Sequence, residues 1–189
     1  MKFKKLIKSL LLTLLFSTFI YGSAEAKCNF IIDIGDKGKK LFDKFAPPMP
    51  MFQGQFILPV QSPEVCPNDN LNDMIAVEYV FLGETFEKAN LAAIRMIAIN
   101  DGENTESNKL TLMNYVKRVY GDFDTGQNPQ IFNSFYAWER FNQLIIYKRI
   151  FNSEGLIEEE IFITNKKYDK KLGEFYNKLE QEAEAKNEN

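Results

Sequence analysis

The chain of 189 residues contains no histidine, two cysteines and one tryptophan. Without histidine there is no Ser-His-Asp or Cys-His nucleophile system, no imidazole general acid or base and no His-ligated zinc. Most familiar hydrolase mechanisms are thereby excluded. Also missing are a Gly-x-Gly-x-x-Gly turn, a phosphate loop and a Cys-x-x-Cys pair. Gly35-Asp36-Lys37-Gly38 is too short and too acidic to cradle phosphate. We therefore expect neither an enzyme nor a cofactor.

What is present begins with a leader. Lys2, Lys4, Lys5 and Lys8 precede an apolar run from Leu10 to Ile20, followed by Ala24-Glu25-Ala26. This is the layout of a secretory signal peptide, with cleavage expected after Ala26. The run is too short for a permanent span, which needs about 20 apolar residues. Lys27 rather than a small residue precedes Cys28, which argues against a lipid anchor. In an oxidising compartment Cys28 and Cys66 are expected to form a disulfide that closes a loop of 37 residues. The protein is read as periplasmic or secreted, and not membrane-spanning once processed.

Residues 1–26 hold four lysines and one glutamate, so residues 27–189 carry 19 basic and 25 acidic side chains, a net charge of −6. Nucleic-acid binding depends on clustered cations that displace counterions, so this balance speaks against it. It also speaks against an anionic membrane as the main partner.

One domain is expected over residues 27–186, with a frayed tail at 187–189. Phe30 to Ile34 reads as a short strand leading into a helical pattern with Leu41, Phe42 and Phe45. Six of the seven prolines lie between Pro47 and Pro67, so residues 46–72 are expected to be an irregular surface segment. Runs from Ile75 to Leu82 and from Leu91 to Ile99 read as a hairpin, although the second could also begin a helix. An amphipathic helix is predicted from about Lys109 to Tyr120, with Gly121 as its C-cap. Strands follow at Ile131–Arg140, Leu144–Phe151 and Leu156–Thr164, and a last helix at about Tyr168–Ala185. Grouped rather than alternating elements indicate an α+β fold: an antiparallel sheet of about five strands with helices packed on one face.

Few residues could carry chemistry. Asp122, Asp124 and Asn128, with Gly126, resemble an oxygen-rich cation loop, but the twelfth position is Asn133 rather than glutamate. Met49 and Met51 could suit copper(I), but they lack a histidine or thiolate beside them. No metal is expected at either place. Glu158 and Glu160 share a strand face and Glu159 takes the other, and the trio reads as a solvent-facing strand. The aromatic cluster is more informative. Tyr136 and Trp138 share one face of a strand and Phe135 and Ala137 the other, with Tyr147 close by. Such a cluster is either core or an open docking face; Tyr136, Trp138 and Tyr147 are the candidate partner-binding residues.

The succession of amphipathic helix, Tyr120-Gly121, loop, Tyr136-x-Trp138 and two further strands resembles, over about 60 residues, the half-repeat of small exported α+β domains of the β-lactamase-inhibitor-protein and SmpA-like type. The resemblance implies a sheet face that binds other envelope proteins, and it transfers no active-site motif. The expected function is a non-catalytic periplasmic protein-interaction domain acting in envelope assembly or inhibition. The alternative is a small-ligand or lipid binder with a cavity between sheet and helices.

Overall fold

The computed structural model describes residues 27–187 except 42–43, 46–47, 68–70, 72–74, 99–110, 126–133 and 152–156. The expected leader therefore lies outside the described residues. Seven strands form one antiparallel sheet: β1 (Met49–Phe52), β2 (Gln55–Gln61), β3 (Ile75–Leu82), β4 (Asn90–Ala98), β5 (Ser134–Arg140), β6 (Gln143–Phe151) and β7 (Ile157–Thr164). Their spatial order is β1-β2-β3-β4-β7-β6-β5. The chain makes one meander from β1 to β4. It then crosses to the far edge and returns through β5 and β6, so that β7 pairs with β4 in the middle. Helix α1 (Ser62–Val65) follows β2, α2 (Thr111–Tyr120) lies in the crossing, and α3 (Lys166–Asn187) follows β7.

The proline-rich stretch is not irregular throughout, because each proline in its strands and helix sits where a missing N–H is harmless. Pro50 is on the four-residue edge strand β1. Pro59 pairs with Glu78 of β3, but β1 reaches only as far as Ile57 on the other side. Pro63 occupies the first turn of α1, where a donor would be unpaired anyway. Two strands beyond the expected five therefore arise from this segment. At the N-terminus, by contrast, Phe30 to Ile34 forms bends and a turn rather than a strand.

The helices occupy both faces, not one. On the inner face, Leu112, Met113, Tyr115, Val116 and Tyr120 of α2 pack onto Tyr136, Trp138, Ile145, Tyr147, Ile161 and Ile163. Each such aliphatic side chain contributes about 1.5–3 kcal/mol when fully buried. On the outer face, Tyr168 and Leu172 of α3 pack onto Val80, Ala92 and Ala93. A register shift between Val80 and Phe81 brings this pair of small residues under the helix. The apolar stripe of a helix shows that it docks, and not on which side. α3 covers β4 and β3 and reaches β2, where Gln55 Nε2 donates to Tyr176 Oη at 2.7 Å. At β5 its first residue, Lys166, pairs with Glu139 at 2.8 Å.

Cys28 and Cys66 form the expected disulfide, with Cα atoms 4.3 Å apart and both residues buried. The Asn29 N–H donates to the Val65 carbonyl at 2.6 Å, and the Cys28 N–H to Tyr115 Oη at 3.3 Å. The bridge thus fastens the start of the domain beneath α2. Among the described residues no helix is long and apolar enough to cross a membrane.

Replacing Cys28 and Cys66 together with serine should lower unfolding free energy by about 4 kcal/mol on the chain-entropy account. Urea denaturation of the parent and the double variant measures this. The native parent should take up no alkylating reagent unless it has first been reduced.

Candidate functional site

The three aromatic residues expected to meet a partner are core residues. Tyr136, Trp138 and Tyr147 all lie on the inner face, each with 0% of its surface exposed. The tryptophan Nε1–H donates to the Gly121 carbonyl at 2.8 Å, and Phe123 packs edge-on to its ring. The phenol of Tyr147 donates to Glu159 Oε1 at 2.7 Å. Strand alternation places Tyr136 and Trp138 under α2, and the sheet presents the other row instead. There Phe135 remains 59% exposed beside Ala137 and Ile146.

The space between sheet and α2 is filled by these rings and by a polar lock that holds the helix at both ends. Glu159 is fully buried on β7, on the same face as Ile161 and Ile163. Its carboxylate accepts the Leu112 N–H at 3.3 Å, the Met113 N–H at 3.4 Å and the Tyr147 hydroxyl. It thereby caps the positive end of α2 from another element. Buried Arg149 lies opposite it in register on β6. Burial pushes the Glu159 carboxyl above the usual carboxylate range, against the pull of Tyr147, the two helix N–H groups and the Arg149 charge. Burial, and then the Glu159 charge, push the Tyr147 phenol far upward.

At the other end of α2, Gly121 adopts φ +79°, a left-handed C-cap suited to glycine. Arg140 Nε and Nη2 donate to the Tyr120 carbonyl at 3.0 and 2.9 Å, and Nη2 also to that of Asp122. A cation therefore faces the negative helix end. The Glu158–Glu160 stretch is accordingly no solvent-facing strand at Glu159. On the opposite face Glu160 is half-buried and, with Glu78, takes part in ion pairs to Arg95 at 3.2 and 2.8 Å. The inward position of Glu159 was readable from the period-two row that it forms with Ile161 and Ile163.

The residues of the supposed cation loop have other partners. Asp124 accepts the Arg140 guanidinium and the Glu139 N–H, both at 2.6 Å, and exposed Asp122 lies 3.9 Å from Lys117. Gly126 and Asn128 lie outside the described residues. Met49 and Met51 are exposed on the edge strand. Among the described residues no group of three or more acidic or cysteine side chains is placed to hold a metal ion.

An open cleft of about 860 Å³ lies where the β5–β6 turn meets the junction of β7 and α3. Phe141 and Asn142 form the turn; Asn165, Lys166 and Lys167 contribute from the junction, and Asp33 and Ile34 from the N-terminal loop. Phe141 is fully exposed and holds φ +46°, in a region that bulky residues rarely occupy. The Lys166 ammonium pairs with Glu139 at 2.8 Å across the cleft wall. The volume is in the range of small-molecule sites, but one aromatic and many polar groups line it. No family model, curated protein or solved structure matches this chain.

Glu159→Ala should cost about 3 kcal/mol, because two helix N–H groups and a phenol lose their acceptor in a dry site. Since the carboxyl titrates higher folded than unfolded, the folded state binds more protons above the ordinary glutamate value of about 4.3. Its contribution is therefore greatest on the acid side and falls as pH rises through that window. Urea midpoints measured between pH 4 and 8 should show this decline in the parent and a flatter profile in Glu159→Gln.

Proposed function

We propose that this chain is an exported, non-catalytic protein-interaction domain whose partner is another protein of the cell envelope. The observation that carries this reading is the outer face of the β5–β6 hairpin. Phe135 stands well exposed there, flanked by the partly exposed Ala137, Leu144 and Ile146, with Glu139 and Lys148 at the rim. α3 meets this hairpin through the Lys166–Glu139 ion pair, whereas Tyr168 and Leu172 pack on the corresponding face of β3 and β4. A contiguous apolar surface with a charged rim has the anatomy of a recognition patch.

The partner would meet the face rather than the edge of the sheet. Thr125 already pairs with Ala137 along the outer side of β5, with the Ala137 N–H donating to Thr125 O at 2.9 Å. That contact occupies backbone groups which strand addition would need. Export is supported by the leader pattern and by the buried disulfide.

Placing a photo-crosslinking residue at position 135 in cells should give one adduct of reproducible mass. The same residue at Asn177, on the exposed side of α3, should give none. Equal adducts at both positions, or none at either, would reject the reading.

A second reading is a small-ligand binder, favoured by the 860 Å³ cleft. It requires a ligand-dependent rise in melting temperature. That rise should vanish in Asn142→Ala/Lys167→Ala and persist in Phe135→Asp.

A further inference from the structure

Two local preferences are broken side by side at the hairpin end of the sheet. Phe141 holds φ +46° at a two-residue turn where glycine or asparagine is favoured, and it makes no use of its ring inside the fold, being fully exposed. Alongside it, α3 opens with Lys166, Lys167, Lys170 and Lys171, all exposed. The spacing i, i+1, i+4, i+5 puts the four on one side of the helix, away from the buried Tyr168 and Leu172. Lysines in the first turns oppose the helix macrodipole, which favours acidic residues there.

The fold gains little from either feature. Lys167 and Lys171 hold their ammonium groups 5.6 and 5.2 Å from the centre of the Tyr168 ring, and Lys166 and Lys170 lie in exposed ion pairs with Glu139 and Glu174. Exposed pairs of this kind contribute little stability.

We propose that this end of the molecule is a membrane-surface contact. Phe141 enters the interfacial region of an anionic phospholipid bilayer while the lysine face of α3 meets the headgroups. Charge complementarity selects this occupant. A single aromatic ring at a protruding turn beside a row of cations suits a planar, negatively charged surface with an apolar interior. The open cleft between Phe141 and Lys167 leaves room for headgroups between ring and ammonium. Acidic groups also stand here: Asp33 and Glu139 line the cleft, Glu139 and Glu174 pair with Lys166 and Lys170, and Asp169 lies in the first turn of α3, so Lys167 and Lys171 are the cations that would carry the headgroup contact. The chain's remaining excess of acid lies farther off, and surface charges more than about 8–10 Å apart are largely screened at physiological salt. The site is separate from the Phe135 face, and the proposal does not rest on the protein-interaction reading.

Phe141→Trp places an indole at the tip, and Trp138 is sealed in the core. With the secreted chain and vesicles of phosphatidylglycerol and phosphatidylcholine, the added indole should shift to shorter wavelength and be quenched by brominated acyl chains. No shift or quenching should occur with pure phosphatidylcholine, or with the anionic vesicles in 0.5 M salt. In co-sedimentation, Phe141→Asn and Lys166→Glu/Lys167→Glu should each bind the anionic vesicles at least tenfold more weakly. Phe141→Asn should melt no lower than the parent, since it follows the local backbone preference, and Lys166→Glu/Lys167→Glu, which gives up only the exposed pair with Glu139 and a ring contact, should melt close to it. An indole that neither shifts nor is quenched would overturn the proposal, as would equal binding to neutral and anionic vesicles, or variants that bind like the parent. Loss of vesicle binding would leave the crosslink at position 135 intact, so the two readings fail independently.

Discussion

The packing of this molecule turns on a carboxylate buried where no water reaches it. Glu159 reaches from the middle of the sheet to the exposed N–H groups of α2, and Tyr147 adds a third donor. A short helix of ten residues is marginal by itself. Here the sheet supplies its N-terminal acceptor through Glu159 and its C-terminal donors through Arg140 and Trp138. The two ends are held by an acceptor and by donors from different strands, so the helix has one orientation across the inner face. The aromatic core beneath it, from Tyr136 to Tyr147, packs against a lid whose position is set by polar contacts.

Docking α2 on one face and α3 on the other leaves the sheet unequally covered. The centre, β3, β4 and β7, is sandwiched, and its rows are correspondingly apolar or paired, as at Glu78–Arg95–Glu160. The margins are handled differently. β1 is short and carries Pro50, which blunts strand addition, and β5 has its outer backbone partly occupied by Thr125. Apart from Ile31 in the N-terminal loop and Tyr176 on α3, the exposed large apolar side chains among the described residues lie toward these margins, at Phe135 and Phe141 on one side and Met49, Met51 and Phe52 on the other.

Much of the local structure was legible in the sequence because it depends on periodicity. Ile75–Leu82 is β3 as read, and the stripe of Leu112, Met113, Val116 and Tyr120 is the buried side of α2. The hairpin β6–β7 and the disulfide were equally readable from alternation and from the cysteine count. Other features depend on neighbours distant in sequence. Proline in residues 46–72 reads as a breaker, yet β1 and β2 accept it because their ladders are one-sided at those positions. The choice of face for α3 rests on a bulge beside Val80, which no hydrophobic pattern records. For Tyr136, Trp138 and Tyr147 core packing is the default reading of an aromatic cluster and a docking face the alternative, and where α2 lands makes them core. The polar lock was missed because a glutamate between two others reads as exposed until its alternation with Ile161 and Ile163 is followed.

The disulfide has a topological effect as well as an energetic one. Between Cys28 and Cys66 lie β1, β2 and α1, the portion richest in proline and turns. A single hydrolysed peptide bond anywhere in that span leaves both fragments covalently joined, and the pairing of β2 with β3 then holds the severed ends in register. Such a body would tolerate one nick from a protease as a two-chain molecule, and would come apart only when a second cut or a reductant arrived.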